Sequence, residues 1–151
     1  MAASRLRWPI IAGIGSVILV LAAPILLVDK IPPRSMSVGA VVSIAIRILM
    51  FARANDHLPP DLSVLPVREG HSNRITDGWG QEIIYQVRPD GIVVLTCYGK
   101  DRRAGGFGED ADFIGIFNPR GPDGKWRTEL EWIHDPSEDF YASYHSPKKD
   151  K

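Results

Sequence analysis

The sequence lacks net charge of either sign: lysine plus arginine number 18, and so do aspartate plus glutamate. That balance gives no electrostatic reason to expect a nucleic acid, and no basic stripe interrupts it. Cysteine is nearly absent. Cys97 stands alone, so no intrachain disulfide can staple the domain. Cys97 follows Val93, Val94 and Leu95 and reads as a buried structural thiol. His57, His71, His134 and His145 are scattered, and no serine or cysteine sits in a nucleophile context. These absences speak against an enzyme and give no sign of a small-molecule substrate. No internal repeat is present.

Charge is missing locally too. Residues 9–28, "PIIAGIGSVILVLAAPILLV", contain no Asp, Glu, Lys or Arg. As a helix, twenty such residues span about 30 Å, the thickness of a bilayer core. The "GIGS" within this run fits small-residue packing rather than a phosphate loop. Arg5 and Arg7 precede the run, so the positive-inside tendency puts residues 1–8 in the cytoplasm. The rest would lie outside the inner membrane, tethered by one pass. A cleaved signal peptide is the competing reading. The run is long for one, and Pro24 follows the best small-residue site, Ala22-Ala23.

Residues 29–36 form a linker broken by Pro32 and Pro33. From 37 to 56, Val41, Ile44, Ala45, Ile48, Leu49 and Ala52 recur at helical spacing, with Ser35 or Ser37 as caps. Ser43, Arg47 and Arg53 mark the opposite face. A second membrane span is a weaker alternative for this helix. In the loop from 58 to 75, Leu62, Val64, Leu65 and Val67 can tuck against a core. "QEIIYQV" and "GIVVLTCYG" read as strands joined at Asp90-Gly91. "FIGIF" is a short strand or a buried loop. "KWRTELEWI" alternates as a third strand, with Trp126, Thr128, Leu130 and Trp132 on one face. Core packing explains those tryptophans better than a ligand surface. Residues 135–151 read as a polar tail. The expectation is an α+β protein: a transmembrane helix, then an amphipathic helix on a small antiparallel sheet.

Within that sheet lies "GKDRRAGGFGEDADF", which places Asp101, Glu109, Asp110 and Asp112 in a glycine-rich loop. Such a loop is either a solvated turn or the wrapping of a cation. Calcium takes six to eight oxygens in flexible geometry. The loop holds no His or Cys for zinc or copper, and its spacing is not that of an EF-hand.

Three motifs occur in order: "HLPPDL" at 57–62, "TDGWGQEIIYQV" at 76–87 and "YGKDRRAGGFGEDADF" at 98–113. Together they resemble the major pseudopilin of the type II secretion system over about residues 37–117. The resemblance implies a pseudopilin-like extracytoplasmic domain over 37–134. It also implies a calcium site made by Asp101, Glu109, Asp110 and Asp112, with backbone oxygen from the start of the loop at Tyr98. Its partners would be the membrane and other copies or other pseudopilins, in a secretion or pilus-like assembly. The opening "MAASRLRWPIIAGIGS" departs from the family: it has no "GFTL" cleavage motif and no acidic residue in the hydrophobic run. A standalone anchored binding module that never polymerises is therefore the second reading.

Overall fold

The structure, a computed structural model, describes residues 31–143. The expected membrane run at 9–28 lies outside the described residues, as do residues 144–151.

The first described helix, α1, runs Pro33–Asn55. It begins earlier than its apolar repeat suggests. Pro32 is extended, with φ −58° and ψ 141°, and Pro33 takes the first helical position, where its missing N–H is not needed. The prolines thus start this helix. Ser37 is no cap either: its hydroxyl donates to the Pro33 carbonyl and accepts from the Gly78 N–H, both at 3.0 Å. The helix ends at Asp56 in the left-handed conformation, with its N–H on the Ala52 carbonyl.

Four strands form one antiparallel meander in the order β1 (Ile84–Val87), β2 (Val93–Cys97), β3 (Phe113–Phe117) and β4 (Trp132–His134). The β1–β2 turn closes where Asp90-Gly91 predicts it. Arg88 N–H meets the Ile92 carbonyl at 2.8 Å, and the Asp90 side chain accepts from Ile92 N–H. β2 and β3 pair Cys97 with Phe113 and Val93 with Phe117. Alternation then sends Val93, Leu95, Cys97, Phe113 and Phe117 to one face. There they pack with Val41, Ile44, Ala45, Ile48 and Leu49 of α1 as the core. "FIGIF" is therefore an interior strand, held on both sides.

The face of α1 bearing Ser43 and Arg47 is covered as well; both side chains are buried. The 58–75 loop covers them, and its backbone carbonyls satisfy their donors. Ser43 donates to Ser72, and Arg47 to Pro66, Leu65 and Asn73. Leu62 and Leu65 of this loop are buried, whereas Val64 and Val67 are exposed. The strand expected over 125–133 shrinks to Trp132–His134. Trp126 instead bridges back to Arg120, whose guanidinium lies 3.7 Å from its ring centre, and its indole N–H donates to Asp56.

The segment after Asp135 begins with a second helix, α2 (Pro136–Ala142), capped by the Asp135 carboxylate on Ser137 N–H. It packs on β3 and α1. Asp139 takes the Ile114 N–H at 2.8 Å, a donor of β3 beyond the reach of short β4.

By length and composition α1 is apolar enough to cross a membrane, yet half of its most apolar window is buried inside the domain.

Candidate functional site

The loop from Tyr98 to Asp112 leaves the end of β2 and returns to the start of β3. It closes on itself through its backbone. Lys100 N–H donates to the Glu109 carbonyl at 2.9 Å, and a short 3₁₀ turn spans Gly108–Asp110. Gly99 has φ +57°, and a Cβ there would stand 2.6 Å from the Asp110 carbonyl group. Only glycine allows both that conformation and that approach.

The structure separates the acidic residues into groups. Glu109 turns to Lys100, with Nζ at 2.7 Å. That bond, with the Lys100 charge and the more distant charge of Arg34, holds the Glu109 carboxyl below its usual range. Asp101 accepts the Arg103 N–H at 3.0 Å, and Asp112 accepts the Gly105 N–H at 2.8 Å through one oxygen. The other Asp112 oxygen is buried and has no hydrogen-bond partner among the described residues. Desolvation raises the Asp112 pKa. The Gly105 bond works against that, and the charges of Asp101 and Asp139 add to it. Asp101 and Asp112 are thus electrostatic neighbours. Asp110 lies half-buried in the 3₁₀ turn, its carbonyl packed against Gly99 and Gly106. Tyr98 is half-buried where the loop begins.

Two residues to which sequence reasoning gave no role, Gln81 and Asp77, support this loop. Gln81 donates its amide to the carbonyls of Gly99 at 2.9 Å and Lys100 at 3.2 Å, and so fixes the oxygens at the loop entrance. Asp77 is 1% exposed; one oxygen accepts from the N–H groups of Trp79 and Gln81, the other is buried without a partner among the described residues. Cys97 lies near both orphaned carboxylates. Burial first, then Asp77 and Asp112, pushes its thiol up to about 12. The visible signal was the "TDGWGQ" turn: an Asp two and four residues before N–H groups that need an acceptor.

Among the described residues, no three His, Cys, Asp or Glu side chains converge as a metal-holding group. The donor chemistry that is present comprises two neighbouring carboxylates, one with an unpartnered buried oxygen, beside carbonyl-rich glycine backbone. Such oxygen donors suit a hard cation such as calcium, which accepts carbonyl and water ligands alongside few carboxylates. Glu109 is paired with Lys100 in this structure, and both side chains are exposed.

No protein-family model, no curated protein and no solved structure matches this chain.

Proposed function

We propose that the chain is a membrane-anchored, pseudopilin-like structural component of a type II secretion or pilus-like assembly, non-enzymatic, with a domain stabilised by calcium. The observation that carries this reading is architectural. An apolar helix lies along one face of an antiparallel meander, and the β2–β3 connection is an acidic, glycine-rich loop that closes on itself. The three motifs named above fall just after α1, on β1 with the turn before it, and on that loop. Calcium would be held by Asp101 and Asp112 with backbone oxygens, and would supply the positive charge that their carboxylates lack. Residues 9–28 would span the inner membrane once, with the domain outside the cytoplasm.

One observation favours the second reading, an anchored module that stays single. Pro32 is extended and α1 begins afresh at Pro33, so no helix runs unbroken through this point. A pilus-like filament packs long continuous helices; this chain would have to assemble otherwise.

The test is crosslinking of the full chain in native membranes. Adducts with itself or with other pilin-like chains are expected. A chain that remains solely monomeric while being stably membrane-bound overturns the assembly role and leaves the standalone module.

A further inference from the structure

Three connections meet at the end of the sheet away from the acidic loop. β2 runs from the Asp90-Gly91 turn to that loop, and its first residue, Val93, pairs with Phe117, the last of β3. Extending this register by one residue sets Asn118 opposite Ile92, so the chain leaving β3 passes beside the β1–β2 turn. The end of α1 is tied to the same place. Asp56 accepts the Trp126 indole N–H at 2.8 Å, and Trp126 bridges to Arg120. Between these connections lies a groove of about 290 Å³ whose walls include Leu58, Asp90, Asn118, Pro119, Arg120 and Trp126. Of the two tryptophans expected in the core, Trp132 packs there and Trp126 lines this groove instead.

The lining side chains are held in place. Trp126 is fixed at its edge by Asp56 and over its ring by the Arg120 guanidinium, which also donates to the Gly124 carbonyl at 2.6 Å. Asn118 Oδ1 accepts the Arg120 N–H at 3.0 Å, which orients the amide and leaves Nδ2 as a donor. Asp90 Oδ1 accepts the Ile92 N–H at 3.1 Å, which leaves Oδ2 as an acceptor. Neither Asn118 Nδ2 nor Asp90 Oδ2 has a hydrogen-bond partner among the described residues.

A donor beside an acceptor matches neighbouring hydroxyls, each of which both accepts and donates. The C–H face of a pyranose ring is apolar and suits Trp126, Leu58 and Pro119. One carboxylate and one guanidinium leave the lining without net charge, which gives a phosphate or a nucleic acid no advantage. Pro119 has no N–H, and neither has Pro122 beside it, so an extended peptide finds a broken ladder here. We infer that this groove binds a neutral hexopyranose unit of a glycan. Asp90 accepts from one ring hydroxyl, Asn118 donates to its neighbour, and Trp126 is an apolar wall. Ligand clefts begin at about 300 Å³, so the groove has room for one ring rather than a long chain. The carbohydrate class goes beyond the function proposed above and depends on neither calcium nor assembly.

The experiment uses the full chain in a detergent without a sugar headgroup. It is applied to an array of neutral oligosaccharides with glucose, galactose, mannose and N-acetylhexosamine termini, beside sialylated and sulfated ones. Binding to at least one neutral terminus is expected, unchanged by high salt. Asp90→Asn and Asn118→Asp each keep the oxygen that serves the backbone and alter only the other end of the side chain. Each should weaken binding about ten-fold or more. Melting temperatures are read on the same samples, and the expected loss is one seen in a variant that melts as wild type does. A second measurement needs no variant. In amide spectra of the wild-type chain, the bound glycan should shift the signals of Gly91, Arg120 and the Trp126 indole N–H and leave that of Gly105 in place. Binding to none of the neutral glycans, preference for the charged ones, wild-type affinity in both variants, or shifts confined to other residues each overturns the inference.

Discussion

The guanidinium of Arg47, midway along α1, reaches the carbonyl oxygen of Pro66 at 2.8 Å, and the same group serves the carbonyls of Asn73 at 3.0 Å and Leu65 at 3.2 Å. A single buried cation thus organises a loop that has almost no secondary structure of its own. Arg47→Met removes the charge and leaves three carbonyls without their donor, which should lower stability by about 2–4 kcal/mol. Arg47→Lys keeps the charge but cannot span three acceptors in a fork, and should recover only part of the loss. Urea denaturation checks this. A midpoint for the methionine variant equal to wild type would show that the carbonyls find other partners.

Gly78 lies against the start of α1, where an added Cβ would stand 1.8 Å from the Pro33 carbonyl oxygen. Backbone cannot yield as a side chain can. Gly78→Ala should therefore push the 77–80 turn off α1 and break the Ser37 bond to Gly78 N–H. A loss of about 1–3 kcal/mol or more is expected, as for other overpacked sites. Amide exchange at Gly80 and Gln81 should quicken in the variant. Unchanged exchange there would refute the close approach.

Asp139 is the fastener of α2 to the sheet. One oxygen accepts Ile114 N–H at 2.8 Å, and the other lies 3.1 Å from the His134 imidazole. Asp139→Ala leaves a part-buried N–H of β3 without a partner, which should cost about 1–3 kcal/mol. The readout is local: exchange of the Ile114 amide should rise more than that of Leu95 in β2. A uniform rise across the sheet would mean that the residue acts on global stability alone.

How much of this could be read from the sequence varies with the source of the signal. The apolar repeat of α1 and the Asp90-Gly91 turn are local, and both appear where they were expected. The alternation from Trp126 to Trp132 is equally local but misleading. A strand needs a partner ladder, and β3 pairs with β4 only from Ile116 to Phe117. Trp126 is drawn instead to Arg120 and Asp56. The burial of Ser43 and Arg47 depends on a loop 18 to 29 residues away in sequence, and no periodicity within α1 could say which segment covers them. At the loop, the acidic residues were visible as a group. Their division into a Lys100–Glu109 pair and an Asp101–Asp112 pair depends on how the glycines fold the chain back, which composition does not specify.

The Asp101–Asp112 pair yields the prediction that decides whether the loop holds a cation. Asp112 has a raised pKa, caused first by desolvation and then, against the Gly105 bond, by Asp101 and Asp139. A carboxyl whose folded pKa exceeds its unfolded value contributes stability in full below the unfolded value, and that contribution is lost as pH rises through the folded one. At neutral pH without metal, ionised Asp112 therefore weakens the fold. Asp112→Asn keeps an oxygen for Gly105 N–H and removes the charge. In chelator it should raise the melting temperature, and the gain should shrink as pH falls toward the carboxylate range. In calcium the order should invert. A ligand bound only by the native state adds about 2.7 kcal/mol at a hundred-fold excess over its dissociation constant. Wild type would receive that stabilisation, and the asparagine variant most of it not. Asp101→Ala should likewise blunt the calcium response, whereas Arg102→Ala, which removes no oxygen, should leave it intact. Thermal unfolding of the full chain in detergent, with calcium and with chelator, measures all of this. Wild-type melting that is the same in both, over a wide calcium range, would make the loop a solvated turn and remove calcium from the proposed function.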